Sequence, residues 1–287
     1  MDLRTRLDTL LLLDGAMGTQ LAARGRSGGG MVTLQSPDTV RAVHRAYIDA
    51  GSQAIITNTL TMNRVYLETH GGDAPVAEAN KRAVEVARSA AGAADIAVLG
   101  NLGSTGQMLE PYGTYAAEQF ESAYREQAEA LEGVDGFLIE TMFDLQETLC
   151  AVRGCKAVSD IPVFVSMTFT TTANGGRTMM GNSAANCATA LTDAGVDVVG
   201  TNCGDLSPVE MADIVAYLRA ETSLPILVEP NAGKPKLVGD TTVYDMEPST
   251  FADGVAAGIE AGASVIGGCC GTSPDHISGR SRRFAKG

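Results

Sequence analysis

V-D-V-V-G-T-N-C-G-D-L-S-P-V-E-M-A-D-I-V-A-Y-L, residues 196–218, holds one complete fold unit. Val196–Gly200 is a short, β-branched, nearly continuous apolar run, the pattern of a strand buried on both faces. It ends in Asn202-Cys203. Ser207-Pro208-Val209-Glu210 then supplies a capping box with Pro at the first helical position. The spacing predicts a helix over 208–220.

The same unit recurs along the chain. Further apolar runs stand at Leu10–Leu13, Ala54–Thr57, Ile96–Leu99, Phe137–Ile139, Val163–Met167, Ile226–Val228 and Ser264–Ile266. Helical stretches are predicted near 38–50, 75–91, 117–132, 144–158, 183–194, 249–261 and 274–284. Ser36-Pro37-Asp38 and Ser273-Pro274-Asp275 read as N-caps. Ala50-Gly51, Ala194-Gly195 and Ala261-Gly262 put Gly just past helix ends. Eight strands alternating with eight helices imply a parallel sheet, and within 287 residues they best fit a closed (β/α)8 TIM barrel of the α/β class, one domain over 1–287. An open doubly wound sheet would carry Gly-x-Gly-x-x-Gly after the first strand; Asp14-Gly15-Ala16-Met17-Gly18 does not match it.

Composition narrows the function. With 34 acidic and 21 basic residues the formal charge is −13, which argues against a nucleic-acid partner. No apolar run approaches the roughly 18 residues of a membrane span, and the N-terminal leucines are too few for a secretory signal. A cytoplasmic protein with reduced cysteines is expected.

Barrel enzymes place their chemistry at the C-terminal ends of the strands. The strand ends here carry Asp14, Asn58, Glu140, Cys203, Asn231, Cys269 and Cys270. Adjacent strand residues point to opposite faces, so Cys269 and Cys270 can share a ligand only if the flanking glycines of G-G-C-C-G take the backbone out of strand geometry. With Cys203 they make three thiolates, a zinc site with one position open. Buried small hydrophobes and a redox vicinal pair are the alternatives. Cys150, Cys155 and Cys187 fall within helices and read as packing residues. Glu140 at the end of an apolar strand needs a partner, and a substrate ammonium would serve. Asp14 reads equally as a loop cap. His44, His70 and His276 read as surface or structural residues, the 11 Met as core filler with Met17, Met142 and Met167 near the pocket rim.

These residues resemble the homocysteine-binding zinc barrels, the group of the methionine-synthase homocysteine domain and of the betaine- and S-methylmethionine-dependent homocysteine methyltransferases. The resemblance runs from L-L-D-G-A-M-G-T (12–19) through V-H-R-A-Y-I-D-A-G (43–51), I-T-N-T (56–59), G-S-T-G (103–106), I-E-T-M (139–142), T-N-C-G (201–204) and V-E-P-N-A-G-K-P (228–235) to G-G-C-C-G-T-S-P-D-H-I (267–277). It implies that Cys203, Cys269 and Cys270 hold Zn2+ and that Glu140 binds the homocysteine ammonium. Asp14 with the Gly15, Ala16 and Met17 backbone would seat the amino-acid end, and Asn231 would stand in as fourth zinc ligand before the thiol arrives. The betaine branch carries Tyr where this chain has Thr141, and the chain lacks Trp; both lean away from a quaternary ammonium donor. The segments 25–30 and 60–63 depart from the family pattern near the pocket mouth.

The chemistry so implied is displacement at a methyl carbon by the substrate thiolate, which zinc coordination keeps deprotonated. Three protein thiolates leave the metal site at about −1, so the substrate sulfur retains electron density. The chain ends just after the eighth helix, so a corrinoid donor, methylcobalamin on a separate protein, is expected in trans. S-methylmethionine, S-adenosylmethionine or betaine as donor, or a related thiol as acceptor, are the alternatives. Outside this chemistry stand a Schiff-base aldolase or lyase, for which no strand end supplies Lys, and a non-catalytic redox-sensing or corrinoid-docking barrel.

Overall fold

A computed structural model describes residues 3–71, 75–239 and 241–284; of the expected domain 1–287, residues 1–2, 72–74, 240 and 285–287 lie outside it. The apolar runs form eight parallel strands: β1 (Leu11–Leu12), β2 (Ala54–Ile56), β3 (Ala97–Leu102), β4 (Gly136–Met142), β5 (Val163–Met167), β6 (Val198–Asn202), β7 (Ile226–Glu229) and β8 (Val265–Ile266). Each pairs with its neighbour in sequence from β2 to β8, and β8 pairs with β1. Gln53 joins the seam between β1 and β2. Its backbone N donates to Leu12 O at 2.7 Å, and its side-chain Oε1 accepts from Leu12 N at 2.8 Å. The result is a nearly closed barrel.

Strand periodicity sorts the core into two layers. Leu11, Leu13, Ala54, Ile56, Ala97, Leu99, Leu138, Phe164, Val198, Leu227 and Val265 cluster inside the barrel. The intervening Leu12, Ile55, Val98, Phe137, Ile139, Val165, Val199, Val228 and Ile266 pack outward. Against them lie the helices α1 (Pro37–Asp49), α2 (Val76–Ala91), α3 (Ala117–Ala130), α4 (Leu145–Lys156), α5 (Ala184–Asp193), α6 (Pro208–Arg219), α7 (Pro248–Glu260) and α8 (Pro274–Phe284). Both faces of each strand are therefore apolar, which is why the runs read as continuous rather than alternating. Among the described residues no helix is long and apolar enough to cross a membrane.

The caps divide. Ser207 Oγ accepts from Glu210 N at 3.3 Å, and Glu210 Oε2 accepts from Ser207 N at 2.7 Å, a complete capping box. Ser36 makes no side-chain cap, and the Ser273 hydroxyl bonds His276 Nδ1 at 2.8 Å instead. Ser207→Ala should destabilise the fold by about 1 kcal/mol, read as a lower urea midpoint with unchanged slope. Two hairpins, Phe169–Thr171 with Arg177–Thr178 and Lys236–Val238 with Thr241–Val243, were not anticipated. Their strands are two or three residues long, too short for a period to register.

Candidate active site

The inward phase of the barrel changes character at its C-terminal end. Two residues beyond the interior Leu99, Leu138, Phe164 and Leu227 stand Asn101, Glu140, Ser166 and Glu229, and four beyond Val198 stands Asn202. All five are 9 % exposed or less. Asn101, Glu140 and Glu229 line a cavity of about 290 Å³ together with Gly15, Ala16, Met17, Thr141, Cys203, Gly268, Cys269 and Cys270.

The three cysteines converge as their spacing suggested. Their sulfurs all lie within 4.8 Å of one another, with Cys203 Sγ 3.9 Å from Cys270 Sγ. Backbone geometry brings them there. Cys203 and Gly204 are both left-handed, with φ of 58° and 72°, so the chain reverses as soon as β6 ends. In G-G-C-C-G, a Cβ on Gly267 would stand 2.6 Å from the Glu229 carboxylate and one on Gly268 2.7 Å from the Thr272 side chain, while Gly271 turns back at φ 80°. Cys269 N donates to Pro230 O, and Cys269 O accepts from Thr272 Oγ1 at 2.7 Å. Strand geometry has been left by residue 267, so both adjacent thiols can face one point.

The thiols also share their protons. Hydrogen bonds from Cys203 and Cys269 pull Cys270 down to about 3, and the Tyr244 hydroxyl adds to this. The hydrogen bonds to Cys203 and Cys270, with burial, push Cys269 well above its ordinary value. Cys150, Cys155 and Cys187 are buried in α4 and α5 away from this cluster, as packing residues.

Glu140 Oε1 accepts from Asn101 Nδ2 at 2.8 Å and Oε2 from Asn202 Nδ2 at 3.0 Å. Burial, partly offset by the Asn101 hydrogen bond and reinforced by the Asp14 and Cys270 charges, pushes its carboxyl up to about 7. No Lys or Arg is among the described residues lining the cavity, so the acid faces a space that lacks a cation. Asp14 sits behind this wall at 1 % exposure. Its Oδ2 accepts from Ile56 N at 3.1 Å across the β1–β2 seam and lies 3.9 Å from His44 Nδ1. The Ile56 contact ties β1 to β2 rather than capping the first βα loop; burial pushes the Asp14 carboxyl up, and Asp14 is not among the residues lining the cavity. Ala16 N donates to Thr272 Oγ1 at 2.9 Å, so that amide is engaged within the protein. Asn231 Nδ2 donates to Gly204 O at 2.8 Å, while its buried Oδ1 has no hydrogen-bond partner among the described residues.

Other expectations resolve by burial. Met17 lines the cavity, but Met142 and Met167 are fully buried in the core. His44 is buried too, and His276 bonds Met246 O at 2.9 Å. Lys234 pairs with Glu210 at 3.0 Å on the surface, which removes it as a Schiff-base candidate. Gly29, Gly30, Leu60 and Thr61, from the two unusual segments, do line the cavity, and Asn58 Nδ2 ties them together through Gly29 O at 3.0 Å. Asn202 and Glu229 stand at strand ends in the sequence but carry no assigned role there, and Tyr244 was not singled out. Counting the inward phase on from Val198 and Leu227 finds Asn202 and Glu229; Tyr244 arrives on a loop that no periodicity describes.

The family profile described as homocysteine S-methyltransferase matches residues 11–283. The chain belongs to the homocysteine S-methyltransferase family. Within it, the chain is 33 % identical to a methionine synthase of Mycobacterium leprae, over 96 % of this chain and 24 % of that protein. To a methionine synthase of Mycobacterium tuberculosis it is 34 % identical, over 92 % of this chain and 24 % of that protein. It thus spans about a quarter of the length of these relatives. The crystal structure of the metallated form of the homocysteine methyltransferase MmuM from Escherichia coli superposes with a TM-score of 0.81 at 27 % identity, covering 99 % of this chain and 100 % of that one. The donor set fits the zinc of a homocysteine methyltransferase. Three clustered thiols are the soft ligands of a catalytic zinc site, and Asn231 Oδ1 is a buried oxygen without a hydrogen-bond partner among the described residues.

Proposed function

We propose that residues 1–287 act as one zinc-dependent barrel that methylates the thiol of homocysteine to give methionine, with a methyl-corrinoid protein as donor. The observation that carries this reading is the juxtaposition, in one cavity of about 290 Å³, of a three-thiol cluster and a cation-seeking carboxylate, Glu140. An amino thiol has complementary groups at its two ends.

In this reading Cys203, Cys269 and Cys270 would hold the zinc, and Asn231 Oδ1, a buried oxygen without a hydrogen-bond partner among the described residues, would be offered to it in the absence of substrate. Bound there, zinc keeps the substrate sulfur deprotonated at neutral pH. Glu140 accepts hydrogen bonds from the ammonium, and the Asp14 charge behind it adds to the negative potential. Gly15, Ala16 and Met17 form the wall at the amino-acid end. Gly29, Gly30, Leu60 and Thr61 shape the wall where the family pattern is broken and the methyl carbon enters. The residues thereby exclude water and hold the sulfur on line with the incoming methyl group.

The identity to methionine synthases, Thr141 in place of Tyr and the presence of Asn231 support the corrinoid donor over betaine. A small sulfonium donor such as S-methylmethionine or S-adenosylmethionine is the second reading. Six free cysteines suit the reducing cytoplasm. The test is to incubate zinc-loaded protein and homocysteine with a methylated corrinoid protein, S-methylmethionine, S-adenosylmethionine or betaine in turn and measure methionine. Methionine from the corrinoid arm is expected. Methionine from another arm alone transfers the assignment to that donor, and a reversible Cys269–Cys270 disulfide in a protein that binds no zinc would instead make this a redox sensor.

A further inference from the structure

β4 contains one residue too many at the active site. Its pairing with β5 runs Ile139 to Val165 and then Met142 to Met167, so Glu140 and Thr141 together span the place of a single β5 residue. Such a bulge re-aims the side chains beside it. The position that turns left-handed in a bulge of this kind is ordinarily Gly, yet here it is Thr141 at φ 60°. A β-branched residue adopts that conformation only when its surroundings force it.

The force comes from Asn202. Its Oδ1 accepts from Thr141 N at 3.0 Å, and its Nδ2 donates to Thr141 Oγ1 at 2.8 Å, so one amide grips backbone and side chain of the strained residue. Ser166 Oγ donates to the same Oδ1 at 2.9 Å and fixes the amide's orientation. The Nδ2 group also donates to Glu140 Oε2 at 3.0 Å and reaches Cys269 Sγ at 3.8 Å. Asn202 is fully buried and directly precedes Cys203. A single side chain therefore spans the carboxylate end and the sulfur end of the cavity.

We propose that Asn202 is a positioning residue that clamps the Thr141 bulge and thereby fixes the spacing between Glu140 and the thiol cluster, so that the site measures the carbon chain between ammonium and thiol. The inference rests on the amino-thiol reading given above. Given that reading, the clamp selects homocysteine over cysteine, which is one methylene shorter. One methylene in a fitted pocket is worth roughly 10- to 200-fold, the discrimination that a loosened clamp would lose.

Two variants of the zinc-loaded protein test it: Asn202→Ala and the double variant with Thr141→Gly. Thr141→Gly should raise the melting temperature in the Asn202→Ala background, where the hydrogen bond to Thr141 Oγ1 is already gone and Gly carries no steric penalty at φ 60°. Asn202→Ala should keep about one zinc per chain but lower the homocysteine-to-cysteine ratio of binding constants by about tenfold or more. In the double variant, Gly relaxes into the bulge without the clamp, and part of the ratio should return. A double variant that melts below Asn202→Ala overturns the strained clamp. An unchanged ratio in Asn202→Ala, or a double variant no more selective than Asn202→Ala, overturns its role in selection. The melting arm needs no substrate. A wild-type protein that binds zinc but neither thiol would sink the functional reading, while the melting temperatures of the double variant and Asn202→Ala still decide the clamp.

Discussion

Cys269→Ala should reduce bound zinc from about one per chain to near zero and abolish methionine formation in the same protein. The loss should exceed the roughly 10- to 100-fold that removal of an outer-shell partner costs a metal site, because a thiolate ligand itself is gone. Two thiols then remain where three lie within 4.8 Å, too few for a zinc site of three protein ligands and one open position. Cys203→Ala should behave alike, although Cys203 is remote in sequence. Cys155→Ala and Cys187→Ala are the controls. They are buried in helices and should retain zinc. Zinc should also raise the melting temperature of the wild type by mass action and leave that of Cys269→Ala unmoved. Full turnover in zinc-free Cys269→Ala would refute the metal-dependent reading.

Glu140→Gln should raise the homocysteine KM by roughly 10- to 100-fold, the 1.5–3 kcal/mol of hydrogen bonding to a charged group. Zinc content should not change, because Glu140 is not in the thiol cluster. Loss of zinc in this variant would show that the two ends of the cavity are not separable in the way proposed. The same residue has a signature in stability. Its carboxyl stands near 7 in the folded protein against an ordinary 4.5, so folding favours the protonated form. The stabilising contribution is complete below pH 4.5 and is lost as pH rises to about 7. In zinc-free, substrate-free protein, wild type should therefore lose stability over that window relative to Glu140→Gln. Thermal melts at a series of pH values read this directly, and identical slopes would reject the buried-acid assignment. A bound ammonium supplies the counter-charge that the lining lacks, so the residue that weakens the empty site is the one that recognises substrate.

Much of the site was legible because a barrel turns strand ends into neighbours. Once the runs at 196–200 and 264–266 are read as strands six and eight, Cys203 and Cys269 must share a face whatever lies between them. The bulge at Glu140-Thr141 was not legible, because no Gly marks it and its left-handed residue is a Thr. The caps show the same division. Ser207 and Ser273 stand in the same local sequence, S-P, yet only Ser207 has an acid three residues on. At that offset Ser273 meets His276, whose ring takes its hydroxyl.

The sequence by itself determined the strand and helix order and the residue types at the strand ends, since these follow from local composition and backbone preference; which face of each strand turns inward was decided by the closed barrel, because both faces are apolar. Tertiary structure alone decided which polar groups touch. Asn202 gripping Thr141 and Glu140, Tyr244 reaching Cys270 and Asp14 pinning the β1–β2 seam depend on side-chain directions set by packing across elements far apart in the chain, to which no local pattern is sensitive.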